Sequence, residues 1–122
     1  MLLTLSLLAT LATATPADSI NGKWQIKGDV AGNPLNSVCD LKQSGATLSG
    51  SCTNEAGIPS IVTGEVKDGT ITFKHGGDYQ GTALTITYSG KLETPKQIKG
   101  TVDVAPFSVS GAFTAEPVPA KS

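Results

Sequence analysis

Arginine is absent from the 122-residue chain, whose nine basic residues are all lysine against ten acidic ones. With a net charge of −1 and no guanidinium forks, there is no basic stretch to neutralise phosphates and nothing suited to reading base edges, which argues against nucleic acid as a partner. Histidine and tryptophan occur once each and cysteine twice. One His and two Cys with twelve residues between them make a poor zinc set, and no C-x-x-C pair is present, so neither a metal site nor a redox motif is expected. The glycines form neither G-x-G-x-x-G nor a Walker pattern, and no following helix could hold an anion at its N-terminus, so no cofactor is expected. Helical periodicity is also missing, because after the first residues no apolar spacing of three and four persists over one helical stretch.

The one long apolar run lies at the start, with Leu at positions 2, 3, 5, 7, 8 and 11. An apolar core of about ten residues is too short to span a bilayer and fits the h-region of a secretory signal. Ala12-Thr13-Ala14 supplies a small-x-small cleavage pattern, with Thr15-Pro16-Ala17 as the competing site. A signal over residues 1–17, one domain over 18–115 and a disordered tail over 116–122 are therefore expected, with a secreted or periplasmic location. No second run reaches the roughly 18 apolar residues of a membrane span.

Short alternating segments cut by Gly, Pro, Asn and Asp fill the rest of the chain, which is the pattern of antiparallel β-structure. In the first, 22–30, Trp24, Ile26, Gly28 and Val30 alternate with Lys23, Gln25, Lys27 and Asp29, so one face is buried and the other wet. Asn33-Pro34 is expected to turn the chain, and strands follow at about 38–43 and 47–53. Asp68-Gly69 fits a type I′ hairpin between 61–67 and 70–75, pairing Lys67 with Thr70, Val66 with Ile71, Gly64 with Phe73 and Val62 with His75. Gly76-Gly77-Asp78 is read as ending that strand. Further strands are expected at 82–89, 97–104 and 107–115, with 90–96 a turn region and Phe107 buried. Eight strands with short links point to an all-β, antiparallel up-and-down meander closed into a barrel, which removes both sheet edges; an open β-sandwich is the alternative.

The two cysteines define a register. Their midpoint lies between Gly45 and Ala46, so a two-residue turn there pairs Ser44 with Thr47, Gln43 with Leu48, Leu41 with Gly50 and Cys39 with Cys52. At a non-hydrogen-bonded antiparallel site the Cα atoms lie about 4.5 Å apart, within reach of a disulfide. A Cys39–Cys52 bond is therefore expected, and it agrees with export to an oxidising compartment.

Five residues stand out as candidates for ligand contact. Trp24 is read either as a plug at one barrel end, its indole N–H reaching a strand-end carbonyl, or as a ligand contact. Gln43 is expected inward, where a buried amide must be hydrogen-bonded. His75 sits at a strand end beside Asp78, but no nucleophile is placed next to it, so no catalytic role is assigned and no enzyme is expected. Tyr79 and Tyr88 are the remaining polar candidates for a cavity.

The opening Gly22-Lys23-Trp24, the hairpin Gly45-Ala46-Thr47-Leu48-Ser49-Gly50 and a meander ending in Phe107-Ser108-Val109-Ser110-Gly111-Ala112-Phe113 resemble the calycin superfamily of lipocalins and avidins. The first of these is most similar to avidin-type barrels. What the resemblance implies is a cup that binds a small molecule or peptide at its open end. Two functions are then expected of the chain: a binding module for a small apolar or amphipathic ligand, or a protein-interaction, inhibitor or envelope accessory domain acting through loops 31–37, 54–60 and 90–97. Its partner would accordingly be a small molecule or another protein.

Overall fold

In a computed structural model, residues 20–118 are described. The expected signal and its cleavage sites at Ala14 and Ala17 lie outside those residues. Eight strands follow one another as β1 (Gly22–Val30), β2 (Asn33–Ser44), β3 (Thr47–Asn54), β4 (Pro59–Lys67), β5 (Thr70–Tyr79), β6 (Thr82–Thr94), β7 (Gln97–Ala105) and β8 (Val109–Pro117). Each pairs antiparallel with the next, and β8 pairs back onto β1 from Trp24↔Pro117 to Val30↔Gly111. The sheet is a closed up-and-down barrel and not an open sandwich. Among the described residues no helix is long and apolar enough to cross a membrane.

The cysteine arithmetic holds in full. Gly45 has φ +61 and Ala46 has no positive φ, the pattern of a type II′ turn. β2 and β3 then pair Ser44↔Thr47, Gln43↔Leu48, Leu41↔Gly50 and Cys39↔Cys52. The Cys39–Cys52 disulfide joins Cα atoms 3.9 Å apart, and both cysteines are buried in the barrel interior. At Asp68 and Gly69 φ is +53 and +81, the two positive values a type I′ hairpin needs.

Strand ends depart from the sequence expectation where Gly or Pro has the composition of a stop. The first turn lies at Ala31-Gly32 (φ +52 and +85), with Asn33 and Pro34 already in β2, because the Asp29 carboxylate accepts the Gly32 N–H at 3.0 Å and holds a tighter turn. Asp78 does the same for the Gly81 N–H at 3.0 Å, so Gly76, Gly77 and Asp78 continue β5 and the turn falls at Gln80-Gly81. β6 runs on to Thr94 with an irregularity between Leu92 and Thr94, since Gly90 is a crossing point opposite Ile71 and Gly100 and not a turn. β8 starts at Val109; Phe107 lies in the preceding turn and is 47 % exposed, not buried. Glu116 and Pro117 complete β8 instead of opening a tail, and the Val118 N–H donates to the Lys23 carbonyl at 2.9 Å. The expected Val62–His75 pair is absent: the β4–β5 ladder ends at Thr63↔Lys74, where β4 stays with β3 while β5 stays with β6, and the Ser60 hydroxyl donates to the Gly76 carbonyl at 3.0 Å.

One barrel end is plugged. The Trp24 indole N–H donates to the Ile20 carbonyl at 2.9 Å, and the Ile20 N–H donates to Gln43 Oε1 at 3.1 Å. Gln43 Nε2 donates in turn to the Gly45 carbonyl at 3.1 Å. Above this plug the fully buried layer includes Ile26, Leu41, Val62, Phe73, Tyr88 and Val102. The strands coil so tightly that a Cβ at Gly50 would strike the Asp40 carbonyl, and one at Gly64 the Thr72 carbonyl and Phe73. At Gly76, by contrast, a Cβ would meet only the Leu84 carbonyl, at 3.7 Å.

Two stability predictions follow from this geometry. Gly64→Ala lowers unfolding free energy by about 2 kcal/mol or more, because backbone stands in the way, whereas Gly76→Ala stays within about 0.5 kcal/mol of wild type; urea titration checks both. Replacing Cys39 and Cys52 together by Ala costs about 3 kcal/mol on the loop-entropy estimate for their separation. Unreduced, denatured protein should show no reactive thiol at either position.

Candidate functional site

The end opposite the Trp24 plug is open. There the barrel holds a funnel of about 670 Å³, a size typical of small-ligand sites. Its walls are apolar: Val30 from β1, Leu35 from β2, Leu84 and Ile86 from β6, Val104 from β7 and Val109 from β8. Alternation explains why these residues converge, because each belongs to the inward set of its strand. Ile86↔Val104 and Val104↔Val109 are direct cross-strand pairs, so the three form one continuous strip across β6, β7 and β8. Gly28 and Gly111, in the inward sets of their strands near this end, are close crossings, where a Cβ would meet the Ala112 and Asp29 carbonyls of the neighbouring strand.

The rim is aromatic and only mildly polar. Tyr79 and Phe107 stand edge to face with ring centroids 5.9 Å apart, and Tyr79 is 49 % exposed. Asn33 also lines the mouth, its side-chain amide donating to the Val30 carbonyl at 3.3 Å. No lining residue carries a charge. A buried ion would have no counter-charge there, so the space suits an uncharged, apolar body.

One layer deeper lies an aromatic stack. Tyr88 is fully buried, stacked on Phe73 at 4.8 Å and edge-on to Phe113 at 5.1 Å. His75 lies over the same ring at 5.5 Å and pairs across strands with Ile86 of the funnel wall. Its Nδ1 is 2.8 Å from the Gly76 carbonyl and its Nε2 is 3.1 Å from the Tyr88 hydroxyl. A carbonyl only accepts, so Nδ1 carries the proton and Nε2 accepts from Tyr88. Burial pushes the His75 pKa down, a shift the Gly76 carbonyl partly offsets, and burial pushes the Tyr88 hydroxyl up. Both groups are thus neutral at neutral pH and hold each other in place.

Of the five residues singled out from sequence, Tyr79 alone lines the funnel. His75 and Tyr88 are brought together beneath it, and Trp24 and Gln43 are joined through Ile20 at the far end. Loop 90–97 belongs to the plugged end, and 33–37 is strand; residues 31–35 and 54–60 lie at the open end. The wall residues were legible as inward positions. Their common location at strand ends opposite the only Trp was the available signal that they surround a space. Among the described residues no group of three His, Cys, Asp or Glu could hold a metal ion.

No protein-family model matches this chain. No curated protein matches it either. Among solved structures it is similar to the redesigned β-barrel b11L5F_LGL, with a TM-score of 0.64 and 15% identity over 84% of this chain and 95% of that one. It is likewise similar to the redesigned β-barrel mFAP1, solved bound to DFHBI, with a TM-score of 0.62 and 17% identity over 84% of this chain and 99% of that one. At such identities the likeness is one of fold: the chain is a closed eight-stranded antiparallel barrel.

The buried His75 makes stability depend on pH with a defined sign. Its folded pKa lies below the ordinary 6.5, so the unfolded chain takes up the proton first as pH falls. The stabilisation is complete well above the unfolded pKa of 6.5 and declines as pH falls through it. The urea midpoint should therefore drop between about pH 7.5 and 5.5 in wild type, the range in which His titrates, and much less in His75→Gln; equal slopes would refute the assignment.

Proposed function

We propose that this chain is a calycin-type binding module that takes a small apolar or amphipathic molecule into the open end of its barrel. The observation that carries the reading is the uncharged apolar funnel of about 670 Å³ between Val30, Leu35, Leu84, Ile86, Val104 and Val109. An interior filled by its own side chains is the alternative for an eight-stranded barrel. Further support comes from the redesigned barrel mFAP1, which has the same fold and was solved with a small molecule bound. The Cys39–Cys52 bond supports a secreted or periplasmic location, since a reducing cytosol would tend to open it. We read the module as non-enzymatic: His75 is neutral and buried, and the one hydroxyl bonded to it, that of Tyr88, is fully buried with its pKa pushed up by that burial.

A second reading has its own observation. Ile58 and Ile61, which the funnel does not use, are 59 % and 79 % exposed beside the β3–β4 turn at the open end. Apolar exposure of this kind fits a protein-interaction, inhibitor or envelope accessory domain.

Titration with the neutral fluorophore N-phenyl-1-naphthylamine separates the two. Saturable one-to-one enhancement is expected, weakened at least about tenfold by Leu84→Trp, which fills the funnel, and unchanged by Trp24→Phe at the plugged end. Absence of saturation in wild type, or indifference to Leu84→Trp, sinks the funnel reading and leaves the interaction reading in its place.

A further inference from the structure

The two barrel ends differ in charge as well as in shape. The open half comprises residues 28–36, 52–62, 75–86 and 102–111. Its charged residues are Asp29, Glu55, Asp78 and Asp103, all acidic. Every lysine among the described residues lies in the other half, the nearest being Lys27 and Lys74 at mid-barrel. Three of the four acids adjoin residues of the funnel: Asp29 precedes Val30, Asp78 precedes Tyr79 and Asp103 precedes Val104. Alternation turns them outward, so they ring the mouth while the apolar neighbours face in.

From this we infer that the ligand of the funnel is a cationic amphiphile, whose apolar body fills the barrel and whose positive group stays at the rim between the Tyr79–Phe107 pair and the surrounding carboxylates. The inference rests on the funnel being a ligand site and names the class of ligand. Three features converge on it. The wall has no charge and rejects a buried ion of either sign. The head group must therefore remain at the mouth, where the exposed Tyr79 and Phe107 rings offer faces that attract cations. The charged residues adjoining the funnel residues in sequence are all carboxylates, and the nearest lysines, Lys27 and Lys74, stand lower at mid-barrel, so an anionic head group, as on a fatty acid, would meet net repulsion. Asp29 and Asp78 spend one oxygen each on a turn N–H, and Asp103 spends one on the Ser110 hydroxyl at 2.7 Å. A carboxylate has further lone pairs and keeps its charge for the solvent side.

Three probes of one chain length test this: decyltrimethylammonium, decanol and decanoate, each below its micellar range, displacing N-phenyl-1-naphthylamine at pH 7.5. At about 0.15 M salt the cation should bind on the order of tenfold more tightly than the anion, with decanol between them, and the gap should widen as salt is lowered. Asp29→Asn combined with Asp78→Asn keeps both turn acceptors and should narrow the gap to about threefold or less. Equal binding of the three probes, tighter binding of decanoate, or a gap that ignores both salt and the substitutions overturns the inference while leaving the funnel as a neutral-ligand site. Failure of all three probes and of the fluorophore itself removes the inference together with the site beneath it.

Discussion

Everything in this molecule depends on the β1–β8 pairing that closes the sheet. With large apolar residues so few, burial on one sheet face could not offset the ordering of about a hundred residues unless every strand also satisfied its backbone on both sides. Closure supplies that, and it removes the edges that Thr- and Val-rich strands would otherwise present to one another. It also sets a steric condition. A small closed barrel must coil its strands sharply, and at Gly50 and Gly64 the neighbouring carbonyl stands where a Cβ would be. Glycine in these strands is a condition of curvature, and its entropic cost is offset by the ladder it permits.

Closure leaves two ends to be dealt with, and the chain treats them in opposite ways. At one, Ile20 folds over the opening and is tied to both Trp24 and Gln43, so the largest side chain is spent on sealing. At the other, medium-sized aliphatic residues leave space, and Tyr79 and Phe107 sit on the rim. Between them, the Phe73, Tyr88, Phe113 and His75 layer forms a floor. The polar atoms within it pair with each other and with Gly76, and burial keeps the interior histidine uncharged.

Much of the fold was legible because its signals are local. Alternation named the inward face of every strand, Asp68-Gly69 named a hairpin, and two cysteines symmetric about Gly45-Ala46 named a register and a bond. The misread strand ends share one cause. Gly76-Gly77, Gly90 and Asn33-Pro34 have the composition of turns, but within a barrel the same residues serve close crossings and strand starts, and only the neighbouring strand distinguishes the two uses. Phe107 reads as a core residue by its apolarity, but the turn before β8 carries it outside.

What the sequence by itself determined, then, was the set of strands, their inward faces and the Cys39–Cys52 register, because each follows from contacts between residues near in the chain. Tertiary structure alone decided which inward residues are packed and which surround a void, since that depends on strands five and six apart in order, such as β1, β6 and β7, meeting at one end. Tertiary structure likewise separated Trp24 from Tyr79 along the barrel axis. None of these distances is encoded in any short segment. They arise from closing the sheet, which converts position along each strand into height along a single axis.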